Sequence, residues 1–145
     1  MRAPLSYATD EALAAILARD TRILELGAGS GFWARALRAR GADVVALDPA
    51  PRGPGVIAGS HHDAASYPGR SLLICWPPDA ADVNAWVKAE HLYLFLVGSH
   101  MRFFCTPSAP PELDLKLPAG RKSGPNNLKI YRLMTDADLN GPAGF

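Results

Sequence analysis

Two stretches of the chain have the residue types and spacing to hold a nucleoside. Glu25-Leu26-Gly27-Ala28-Gly29-Ser30-Gly31 sets an acid two residues ahead of a Gly-x-Gly-x-Gly run. Glycines in such a run let the backbone turn sharply and lie against a ligand with its N–H groups pointing outward. Asp48 follows roughly twenty residues later, the spacing at which an acid ending the next strand meets a ribose. A carboxylate there can accept both ribose hydroxyls, and charge-assisted bonds of this kind contribute about 1.5–3 kcal/mol each where water is excluded. Each feature also has a plainer reading, a strand-to-helix turn for the glycines and a capped turn before Pro49 for the acid. Their pairing favours the nucleoside.

A dinucleotide would need the same turn, and the third glycine of Gly-x-Gly-x-x-Gly separates the two ligands. That position is Phe32, whose ring obstructs the close helix-to-strand packing of a pyrophosphate site, so NAD chemistry is disfavoured. A second candidate stretch, Cys75-Trp76-Pro77-Pro78-Asp79, ends an apolar run abruptly. Asp79 is its one plausible proton acceptor. Ser60, His61 and His62 form a third polar cluster, but two histidines without a third ligand predict no metal site.

The glycine run with its leading acid resembles the motif that opens the cofactor site of class I S-adenosylmethionine-dependent methyltransferases. The resemblance implies a Rossmann-like fold and an adenosyl cofactor held by Glu25, Gly27, Ala28, Gly29, Gly31, Asp48 and Pro49. Ser60 and His61 would then lie near the adenine and Cys75 near the reacting end. Amino-methylating members carry Asn, Asp or Ser, then Pro-Pro and an aromatic ring, where this chain has Trp76-Pro77-Pro78-Asp79. The prolines match and the flanking residues do not, so the likeness, which extends over most of the chain to a small group with Trp-Pro-Pro, names no amine substrate. Trp76 and Asp79 are the candidate catalytic residues. Transfer from a sulfonium is an in-line displacement, in which alignment can supply about 7–11 kcal/mol without a dedicated base. Tyr7 could fold over the cofactor, although packing is the simpler role.

These residues must be positioned by a regular alternation of elements. Helical spacing covers Thr9 to Asp20 and Phe32 to Arg40, with Gly41 placed to end the second helix. Strands are expected at Thr21–Leu26, Asp43–Leu47, Val56–Ala58, Ser71–Cys75 and Leu92–Val97. His61 to Tyr67 reads as one or two helical turns, and a helix should run from Asp79 or Asp82 to about Glu90. Glu112–Leu117 and Leu128–Leu133 read as an antiparallel pair. The fold class is therefore α/β, a doubly wound, mostly parallel sheet with an antiparallel C-terminal strand, whose ligand-facing loops follow the carboxyl ends of the strands.

At 145 residues and 48% hydrophobic, the chain predicts one domain over residues 1–135 and a tail over 136–145. Lys+Arg 15 against Asp+Glu 14 gives +1, which offers no reason to expect nucleic acid or an anionic membrane. The late basic residues Lys116, Arg121, Lys122, Lys129 and Arg132 read as a solvated face. Cys75 and Cys105 are too few for a disulfide framework, and no stretch reads as a secretion signal or membrane span, so a cytoplasmic protein is expected. The expected partner is a small-molecule substrate, with the oligomeric state, a homodimer included, left open. A non-catalytic module that senses S-adenosylmethionine is the alternative to an enzyme.

Overall fold

The computed structural model describes residues 3–77, 86–87, 91–99, 110–121 and 126–133. The first helix, α1 (Asp10–Leu17), starts where the Thr9 side chain accepts the Ala12 N–H, with Asp10 and Glu11 in the first turn suiting the helix dipole. Its apolar stripe, Ala12, Leu13 and Ile16, is buried against the sheet. Strand β1 (Arg22–Leu26) leads through the glycines into α2 (Phe32–Arg38), which buries Trp33, Ala34 and Leu37. Paired bonds from Gly41 N–H to Arg38 and from Ala42 N–H to Leu37 stop that helix.

Strands β2 (Asp43–Asp48), β3 (Ile57–Ala58), β4 (Ser71–Cys75), β5 (Tyr93–Gly98), β6 (Leu113–Leu117) and β7 (Asn126–Arg132) complete a seven-stranded sheet ordered β3-β2-β1-β4-β5-β7-β6. The first five strands run parallel, and β7 pairs antiparallel with both β5 and β6. The antiparallel ending follows the sequence expectation, with the later of the two strands inserted next to the parallel set. Between β3 and β4 the expected helical turns form a 3₁₀ segment, His61–Ser66. Ser60 and Asp63 make a capping box at its start, and Pro68-Gly69 leave no room to extend it.

Alternation along the strands divides the core between two faces. Ile23, Leu73, Phe95 and Val97 pack with both helices on one side, and Leu24, Leu26, Leu72, Ile74, Leu94 and Leu96 pack on the other. Trp86 and Val87 cover part of that second face; the other residues of the expected helix up to Glu90 lie outside the described ones, as do Asp79, Cys105 and the expected tail. From β1 the chain winds outward through β2 to β3, then returns to β4 and winds the other way. The order therefore reverses between β1 and β4, and the crevice beyond their carboxyl ends is where open α/β sheets bind ligands.

Candidate functional site

The turn at this switch point is fixed by its backbone. Gly27, Gly29 and Gly31 have φ of 70°, 58° and 82°, a region in which side chains are strained, so all three positions need glycine before any ligand is considered. The turn is stitched to β2: Ala28 N–H donates to the Leu47 carbonyl at 2.9 Å and Gly29 N–H to Asp48 Oδ2 at 2.8 Å. Asp48 Oδ1 accepts the Ala50 N–H at 2.8 Å. A carboxylate oxygen has room for a second donor, so both remain able to accept a hydroxyl.

On the helix-bearing face of the sheet lies a cavity of about 360 Å³. The glycine turn and the first residues of α2 form one wall, Glu25, Cys75 and Trp76 come from β1 and β4, and the segment from Ala3 to Ser6 crosses it. Glu25 shares a face with Leu73, its register partner, and with Cys75 two residues on. It is 2% exposed, and its Oε1 accepts no hydrogen bond from the described residues. Burial pushes its carboxyl up to about 8, against partial relief from the Cys75 thiol, the Arg38 charge and the Ala34 amide. Burial and then the neighbouring Glu25 charge push the Cys75 thiol up as well. Cys75 is thus protonated at neutral pH and is no nucleophile.

Trp76 is the one non-glycine residue with positive φ among the described residues, at 49°. Its N–H donates to the Val97 carbonyl, and its indole Nε1 donates to Ser6 Oγ at 2.7 Å. Ser6 is buried and ties three elements together. Its hydroxyl donates to Asn126 Oδ1 at 2.5 Å, and its carbonyl accepts Trp33 Nε1 at 3.1 Å. A strained tryptophan held this firmly makes a fixed wall of the cavity.

Of the residues expected at a site, Glu25, Gly27, Ala28, Gly29, Cys75 and Trp76 line one cavity together. Gly31, Asp48, Pro49, Ser60 and His61 lie outside its lining, with Asp48 joined to it through Gly29. Ser60 caps the 3₁₀ segment, and His61 stacks on Trp86 with ring centroids 5.1 Å apart and meets the His62 ring, tilted by 38°, at 4.0 Å. Tyr7 is 43% exposed and meets the Phe32 ring edge-on. The cavity also takes in Ser6, Trp33, Arg35, Arg52 and Arg121, which carry no motif. Arg121 is exposed, as the reading of a solvated face expects, and it also lines the cavity, whereas Lys129 stands 3.8 Å from Asp114.

Among the described residues no group of three or more His, Cys, Asp or Glu could hold a metal ion, and no helix is long and apolar enough to cross a membrane. No curated protein matches the chain. A family model described as a methyltransferase domain matches residues 2–107, more than half of the 145 residues. That span takes in the glycine turn, Glu25, Asp48 and the Cys75-Trp76 wall, and the chain belongs to the methyltransferase-domain family.

Proposed function

We propose that the protein transfers a methyl group from S-adenosylmethionine to a small molecule. The observation that carries this reading is Glu25, a buried carboxyl with an unpartnered oxygen that lines a cavity at the sheet's switch point, against the three-glycine turn. An orphaned buried carboxyl is costly unless a ligand supplies a donor or a cation. The ammonium of the cofactor's amino-acid end is such a group, and the residues present fit it. The turn, with no side chain at residues 27, 29 and 31, would lie along the cofactor in place of the Arg52 guanidinium that now rests over Gly29, and Asp48 would accept the ribose hydroxyls with its remaining lone pairs.

When bound, the cofactor supplies an activated methyl on a sulfonium, displaced in line with the electron pair of the broken bond retained by sulfur. The protein's part is alignment and exclusion of water. Trp76, fixed through Ser6, and the half-buried Cys75 wall the space next to Glu25. Glu25 is the one carboxylate among the described residues lining the cavity, so the residues there favour positioning over base catalysis.

The test is transfer. Incubation with S-adenosylmethionine carrying a labelled methyl and a small-molecule extract should move label into an acid-soluble product, and Glu25→Gln should reduce it. Binding of the cofactor with no labelled product across broad extracts would instead favour a sensing module.

A further inference from the structure

The charges around this cavity are unbalanced in one direction. Arg35, Arg52 and Arg121 line it, and Glu25, held largely protonated by burial, is the one acidic residue among the described lining. None of these arginines forms an ion pair with a described residue. Arg35 uses Nη1 on the Ser30 and Pro54 carbonyls, and Arg121 uses Nε on the Ala3 carbonyl at 2.7 Å. Arg52 makes no side-chain hydrogen bond with a described residue, and its guanidinium lies over Gly29, with Nη2 2.7 Å from where a β-carbon would stand.

Two of the three are also set in place by contacts that only glycine permits. Arg52 N–H donates to the Gly29 carbonyl at 3.0 Å, and a β-carbon on the adjoining Gly53 would fall 2.0 Å from the Ser30 carbonyl oxygen. Arg121 N–H donates to the Pro4 carbonyl at 2.9 Å, and a β-carbon on the adjoining Gly120 would fall 2.2 Å from that same oxygen. Two segments far apart in the sequence, 52–53 and 120–121, are thus pressed against the cavity, each presenting a guanidinium with free donors. Unpaired guanidiniums around a concave site recognise carboxylate or phosphate.

We infer that the cavity takes a ligand bearing a carboxylate or phosphate group, bound by Arg52 and Arg121 with Arg35 beside them. Resting on the function proposed above, that ligand is the methyl acceptor. With the cofactor's ammonium paired to Glu25, its sulfonium and its own carboxylate cancel, so the three arginines keep their excess positive charge and an anionic acceptor offsets it.

The experiment is calorimetry on the full chain, with and without saturating S-adenosylhomocysteine, titrated with inorganic phosphate in one arm and benzoate in the other. At least one anion should bind saturably, and Arg52→Gln should weaken it about tenfold while changing S-adenosylhomocysteine affinity less than about twofold. The Arg52 side chain is exposed and makes no hydrogen bond with a described residue, so this variant should melt as the parent does; Arg121→Gln, which also releases Ala3, is the second variant. Absence of saturable binding in both arms, or binding indifferent to both substitutions, would overturn the inference. So would an equal loss of S-adenosylhomocysteine affinity, since the arginines would then serve the cofactor's own carboxylate. Arg52-dependent anion binding by a protein that ignores S-adenosylhomocysteine would leave the anion site standing and remove the methyl-transfer reading instead.

Discussion

The Gly29 N–H donates to Asp48 Oδ2 across 2.8 Å, so the acid closing β2 is bonded directly to the middle glycine of the turn after β1. One side chain therefore braces the turn, and on the function proposed above the same side chain receives the ribose. Asp48→Asn separates these roles, because the amide oxygen can still accept one backbone N–H but the charge is gone. S-adenosylhomocysteine affinity should fall about tenfold or more, with the melting temperature lowered by only a few degrees. Calorimetry and a thermal melt measure the two effects; an unchanged affinity would remove Asp48 from the site.

Glu25 makes stability depend on pH in a definite direction. Its carboxyl is raised from 4.5 to about 8 in the folded chain, chiefly by burial, so between those values the folded state binds more protons than the unfolded one. This contribution to stability is full below about pH 4.5, falls as pH rises, by at most roughly 1.4 kcal/mol per pH unit, and levels off above about 8. Glu25→Gln should flatten this part of the profile and raise the denaturation midpoint at pH 8 relative to the parent. Urea titrations at pH 5 and pH 8 measure it, and parallel profiles for the two proteins would contradict the assignment.

Ser6 joins the segment that crosses the cavity to Trp76, Trp33 and Asn126. Ser6→Ala withdraws the hydroxyl from both Trp76 and Asn126 in a buried setting and should cost about 2 kcal/mol or more. Methyl transfer should fall further than the loss of fold accounts for, since the Trp76 wall is no longer pinned. Denaturation together with kcat under saturating cofactor tests this; an active, fully stable variant would show that the wall needs no such anchor.

The parts of this molecule that sequence reveals are those whose cause is local. The apolar runs 71–75 and 92–97 supply the central strands Ser71–Cys75 and Tyr93–Gly98, buried on both faces along most of their length, and the glycine run is a turn because φ at residues 27, 29 and 31 disfavours side chains. The cavity's far wall has no such signature. Ser6 and Asn126 are 120 residues apart and meet only because β7 inserts beside β5. Arg52 reads as a loop residue until Gly53 is seen against Ser30, and Arg121 as one of several surface cations until Gly120 is seen against Pro4. Asp48 was legible as a partner of the glycine turn through spacing, but the direct bond between them was not, since spacing gives neighbourhood and not contact.

The most direct test of the account is titration of the chain with S-adenosylhomocysteine at pH 7 in two buffers of different ionisation enthalpy. If the ligand's ammonium settles beside Glu25, the carboxyl must give up the proton that burial makes it hold, and binding should release close to one proton, with none from Glu25→Gln and no binding of NAD. Binding that releases no proton, release that persists in Glu25→Gln, or no binding at all would contradict it.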